Sequence, residues 1–89
     1  MDPATLVAQT LEEETVHQRT LAEAGDPRAD VCAWHIQYLE NLLGTLDQFP
    51  LTADRFVELL RASIAITNPR FPDEPHASVD LLSRWEAGR

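Results

Sequence analysis

Val31-Cys32-Ala33-Trp34-His35-Ile36-Gln37-Tyr38-Leu39-Glu40-Asn41-Leu42-Leu43-Gly44-Thr45-Leu46 is the stretch on which the fold turns. Cys32, Ile36, Leu39, Leu43 and Leu46 recur at spacings of four, three, four and three, the repeat of one side of an α-helix. Val31, His35, Tyr38 and Leu42 form a second row beside the first. Two rows make a wide apolar face, so this helix is expected to be the central one, touching more than one neighbour. Its other side carries Asp30, Gln37, Glu40, Asn41 and Asp47. Gly44 is a poor helix former and leaves the end of the element open.

Immediately upstream, Asp26-Pro27 is a helix start, with a carboxylate placed to accept orphan amide protons and a proline suited to the first turn. Gly25 reads as the C-terminal cap of a preceding helix over residues 3–23, itself opened by Asp2-Pro3. A connection this short forces the two helices back to back, which predicts an antiparallel helical hairpin. Leu6, Val7, Leu11, Val16 and Leu21 supply the first helix with its apolar stripe, interrupted by Glu12-Glu13-Glu14-Thr15.

Downstream, Phe49-Pro50-Leu51-Thr52 breaks the pattern and Thr52 can cap a third helix. Its apolar residues are Phe56, Val57, Leu59, Leu60, Ile64 and Ile66, and Asn68-Pro69 stops it. Three prolines in residues 69–75 predict an extended connection. A short helix over about 75–87 follows, facing inward through Val79, Leu81, Leu82 and Trp85, with Asp80 and Arg84 as an exposed pair. The expected fold class is all-α: one helical domain over residues 1–89, a small bundle of three long helices plus a short C-terminal helix. No strand alternation, internal repeat or low-complexity tract appears.

At 89 residues and 44% hydrophobic content, the chain has room for one modest core burying roughly 60–65 per cent of its surface, and a deep active-site cavity would compete with it. Cys32 is the only cysteine, which excludes an internal disulfide and points to a reducing, cytoplasmic compartment. The N-terminal residues lack the pattern of a signal peptide, and no stretch reads as a membrane span. The formal net charge is −8 and all seven bases are arginines. Residues 1–49 hold nine acids and two arginines, whereas residues 50–89 hold six acids and five arginines. This balance disfavours direct nucleic-acid binding.

The acidic half is the hairpin. If its helices are antiparallel, Glu12, Glu13, Glu14, Glu23, Asp30, Glu40 and Asp47 are expected to share an outward surface of negative potential that attracts a basic partner. Trp34 falls between the apolar rows and the polar side, where it can anchor a subunit or partner contact. A solvated face that keeps a small protein soluble explains the glutamate run equally well. Pairing of the wide second-helix face in a homodimer is a further way to enlarge the core.

Glu14 and His17 have the Glu-x-x-His spacing of di-metal helical bundles, but a second copy and further glutamates are missing, so no metal and no cofactor is assigned. A site built from His17, His35 and a carboxylate is the metal alternative. His35 on the apolar face reads as a neutral imidazole bonded to a backbone or tyrosine oxygen, or as a pH-sensitive contact between helices. Cys32 reads as a small core residue.

Neither Gly-x-Ser-x-Gly nor a phosphate-cradling glycine loop occurs, and no catalytic residues are assigned. A four-helix acidic chain of this length resembles acyl carrier proteins, but Asp30-Val31 stands where their Asp-Ser-Leu attachment motif would open the second helix. Leu51-Thr52-Ala53-Asp54-Arg55-Phe56-Val57-Glu58-Leu59-Leu60-Arg61-Ala62-Ser63 resembles the first helix and turn of repressor-type helix-turn-helix domains, and Ser83-Arg84-Trp85-Glu86-Ala87-Gly88-Arg89 the end of their recognition helix. That resemblance implies Arg55, Arg61, Arg84 and Arg89 on phosphates. It covers about twenty residues, in two pieces separated by nineteen that contain three prolines.

The function expected from these residues is a non-catalytic protein-protein interaction module, an inhibitor or accessory factor of nucleic-acid machinery. The alternatives are a helix-turn-helix-like transcriptional regulator and a metal-binding helical-bundle enzyme.

Overall fold

Asp2 opens the first helix: its carboxylate accepts the Thr5 amide at 2.9 Å and the Thr5 hydroxyl at 3.0 Å, and Pro3 occupies the first turn. In the computed structural model, which describes residues 2–70, 73 and 75–88, four helices follow in order: α1 (Pro3–Glu23), α2 (Arg28–Gln48), α3 (Ala53–Thr67) and α4 (Ala77–Ala87). No strand occurs among the described residues.

Gly25 ends α1 one residue beyond its cap, Ala24. It adopts φ 67°, a left-handed conformation that favours glycine. Its N–H donates to the Ala22 carbonyl at 3.1 Å, and the Asp26 N–H donates to the Leu21 carbonyl at 2.9 Å. These two bonds together close the helix and reverse the chain. Asp26 then accepts the Arg28 amide at 2.9 Å and the Arg28 guanidinium, which holds its carboxyl down to a pKa of about 2. The result is the expected hairpin, with α1 and α2 packed along their length. α2 runs through Gly44 to Gln48.

One core joins all four helices: Leu6 and Val7 of α1, Leu39, Leu42 and Leu46 of α2, Phe56 and Leu60 of α3, Leu81 and Trp85 of α4. Leu21, Ala29 and Cys32 form a second cluster at the turn end of the hairpin. The element in substantial contact with all three others is α4, whereas α2 packs in this way against α1 and α4. Ala77 and Ser78 are small enough to let the start of α4 approach closely, and Trp85 at its other end meets Phe56 edge-to-face at 5.2 Å.

α3 therefore has a partner mainly in α4, and its covered stripe is narrow. Leu59 and Ile66, two of its six apolar residues, are exposed, Ile66 to 66%. Val16, assigned to the buried stripe of α1, is 58% exposed. Phe49 is also exposed. The chain turns at residues 68–70, where the Arg70 N–H donates to the Thr67 carbonyl at 3.1 Å, so this part of the connection is a turn and not extended. Phe71, Pro72 and Glu74 of that connection lie outside the described residues. α4 starts at Ala77, two residues later than expected, because the His76 side chain caps it. No helix among the described residues is long and apolar enough to cross a membrane.

Candidate functional site

Consecutive helical residues point about 100° apart, so Glu12-Glu13-Glu14 cannot present a single face. Glu12 faces solvent. Glu13 reaches α4 and pairs with Arg84, which also binds Asp80 at 2.9 Å. Glu14, expected on the outer surface, is turned inward against α2 with its side chain only 23% exposed. Geometry thus divides the expected site in two.

The outer part consists of Glu12, Glu23, Asp30, Glu40 and Asp47, all exposed and in no ion pair among the described residues. Glu12 and Glu23 are eleven residues apart, close to three turns, and therefore stand in line on the side of α1 away from Glu14. Val16 lies on the same line, one turn from Glu12. On α2, Glu40 and Asp47 are two turns apart. Trp34, one turn beyond Asp30, is 74% exposed. Around α2, Glu40 and Asp47 stand about 100° from Asp30 and Trp34.

The inner part is a cleft of about 340 Å³ between α1, α2 and the start of α4, lined by Thr10, Glu14, His35, His76, Asp80 and Ser83 among others. Thr10 is buried and its hydroxyl donates to the Leu6 carbonyl at 2.8 Å, so it adds no free donor. Glu14 Oε2 is closed off from solvent without a hydrogen-bond partner. His35 Nδ1 stands 3.9 Å from it, too far for a hydrogen bond. Burial, with the Glu14 carboxylate alongside, pushes the Cys32 thiol up, which suits a core residue and not a nucleophile.

Sequence reasoning missed His76, since histidine is not among the usual capping residues. The signal available was its position just before a helix rich in small residues. His76 Nδ1 accepts the Ser78 amide at 3.1 Å and lies 2.7 Å from Ser78 Oγ. Ser78 is fully buried, and its hydroxyl is 3.1 Å from that of Tyr38, whose ring meets His76 edge-on at 4.3 Å. The tyrosine oxygen expected to serve His35 is thus engaged with Ser78. Because Nδ1 accepts an N–H, the capping ring is the neutral tautomer protonated on Nε2.

Burial lowers the pKa of His76, and neighbouring His35 lowers it further. Tyr38 and His35 of α2, Glu14 of α1 and Asp80 of α4 are the other titratable groups around this cleft. The unfolded chain takes up the proton near the ordinary value of 6.5 and the folded chain only at lower pH. This contribution to stability is complete above that value and is lost as pH falls through the folded pKa. The urea midpoint is expected to drop between pH 7.5 and 5, and to drop less in His76→Asn, whose amide caps α4 without titrating. Equal slopes in the two proteins would exclude His76 as the titrating cap.

His17 is exposed while Glu14 points inward, so this pair does not converge. Among the described residues, no group of three histidine, cysteine or acidic side chains is placed to hold a metal. The arginines that the helix-turn-helix resemblance would place on phosphates are engaged: Arg55 with Glu58, Arg61 with Glu86, and Arg84 with Glu13 and Asp80. Arg89 lies outside the described residues. No family model matches the chain, and no curated protein or solved structure matches it.

Proposed function

We propose that the chain is a non-catalytic protein-protein interaction module that engages a basic surface through the outer side of its α1–α2 hairpin. The observation carrying this reading is the set of five exposed carboxylates, Glu12, Glu23, Asp30, Glu40 and Asp47, that no cation of the described residues neutralises. Such charges accelerate encounter with a positive patch, and exposed Trp34 and Val16 supply the apolar contact that charge alone lacks. A basic partner is characteristic of nucleic-acid machinery, so the role is that of an inhibitor or accessory factor there. A lone buried cysteine fits a cytoplasmic setting. A homodimer would have to use surface other than Leu39, Leu42 and Leu46 of α2, which are covered within the chain.

Calorimetric titration with a deca-arginine peptide tests the reading, with amide shifts mapping the contact. Binding at low salt is expected to centre on these five positions and Trp34, and to weaken about tenfold or more when they are replaced together as Glu12→Gln, Glu23→Gln, Asp30→Asn, Glu40→Gln and Asp47→Asn. Absence of binding at low salt, or shifts centred on Asp54 and Glu58 of α3, would overturn it.

A further inference from the structure

The start of α4 is tied to the hairpin through a short polar link. Ser78, fully buried, holds its hydroxyl 3.1 Å from that of Tyr38 in α2 and 2.7 Å from His76 Nδ1. Its amide donates to the same ring nitrogen at 3.1 Å, and the Tyr38 ring meets His76 edge-on at 4.3 Å. A backbone N–H can only donate, so Nδ1 must keep its lone pair for this arrangement to hold. A proton on Nδ1 sets two N–H groups against each other, removes the cap and strands the first amides of α4. The far end of the helix does not depend on this nitrogen: Leu81 and Trp85 sit in the shared core, Trp85 against Phe56.

We infer that the first turn of α4 is a proton-sensitive latch: when His76 takes up a proton at Nδ1, residues 76–79 lift from Tyr38 and open the cleft between α1, α2 and α4, while the C-terminal half of α4 stays docked. The groups around this ring are Tyr38 and His35 of α2, Glu14 of α1 and Asp80 of α4, with Asp73 of the preceding connection exposed. The two carboxylates of the cleft are the groups that could hold a charged ring in place. Asp80, however, is bound to Arg84 at 2.9 Å, and Glu14 Oε2 approaches His35, at 3.9 Å. Burial disfavours the charged His76 ring, and so does His35. Lifting the turn returns the ring to water, so the open form takes up the proton more readily than the closed one. As pH falls from the ordinary value of 6.5, the open-to-closed ratio rises by up to about tenfold per pH unit, and it levels off below the folded pKa. The latch is independent of the outward acidic surface, and its failure would leave that reading standing.

Native-state hydrogen exchange of the full chain separates release of one turn from global unfolding. NMR follows it across a pH series from 7.5 to 4.5, with and without about 1 M urea, each rate divided by that of an unstructured chain at the same pH. The Val79 amide, which donates to the His76 carbonyl at 2.9 Å, reports on the latch. Its exchange should be nearly indifferent to urea, because a lifted turn exposes little surface, and should rise about five- to tenfold on acidification, the ratio carried by one lost cap. The rise should level off at the pH where the His76 ring nitrogens titrate. The Leu42 and Leu60 amides should exchange through a urea-dependent opening. His76→Asn, which caps without titrating, should hold Val79 at its pH 7.5 level. If His76→Asn does not fold, agreement between the ring titration and Val79 exchange in the wild-type chain decides the matter. Val79 exchange that follows urea as Leu42 does, that ignores the protonation of His76, or that rises equally in His76→Asn overturns the latch.

Discussion

Phe56→Ala should lower the free energy of unfolding by about 3–5 kcal/mol, read from urea or guanidinium melts. Phe56 is fully buried in the first turn of α3 and is one of two buried α3 side chains in the shared core. Its ring meets Trp85 of α4 edge-to-face at 5.2 Å. Truncation removes the apolar area, opens a cavity and strips the Trp85 ring of its partner, and the rigid helices around it cannot collapse to fill the gap. A chain of this length has roughly 4–13 kcal/mol of stability in all, so the variant should be largely unfolded under mild denaturant. In a double-mutant cycle with Trp85→Leu, the aromatic pair itself is expected to account for about 0.5–1.5 kcal/mol. A loss below about 1 kcal/mol in Phe56→Ala would mean that α3 is not docked as described.

Glu14→Leu should act in the opposite direction and stabilise the fold by about 1–2 kcal/mol. Glu14 occupies the inward side of α1, where its carboxylate gives up hydration without gaining a hydrogen bond at Oε2. The side chain is 23% exposed, which is why the gain is placed below the penalty of a fully buried charge. Leucine has similar bulk and a better match to neighbouring Leu39 and Cys32. A drop in stability in Glu14→Leu would show instead that the carboxylate is satisfied in solution.

Much of the architecture was legible in residue order. Asp2-Pro3, Gly25, Asp26-Pro27, Thr52 and Asn68-Pro69 mark helix ends through local chemistry, and each boundary lies within a residue or two of its expected place. The apolar rows of residues 31–46 identified the buried side of α2, where Leu39, Leu42 and Leu46 are inside. Periodicity misplaced residues where burial depends on what lies opposite. Val16, assigned to the buried stripe of α1 for its chemistry, is exposed, because an apolar side chain is covered only where another helix packs over it. His76 escaped notice because its capping role depends on Ser78 and Tyr38, the latter from another helix.

The candidate site divides along the same line. That residues 1–49 carry most of the negative charge follows from composition alone, and so does the opening of the acids into an exposed set, since a helix surface is where unpaired carboxylates remain hydrated. Which glutamate of Glu12-Glu13-Glu14 meets water, which meets Arg84 and which is turned in against α2 depends on how α2 and α4 pack against α1. Helix ends and amphipathic faces are encoded within a few neighbouring residues, so sequence by itself determines them. The docking of α4 against three partners joins residues as far as 71 positions apart, as in the Glu13–Arg84 pair, and only the packed chain settles it.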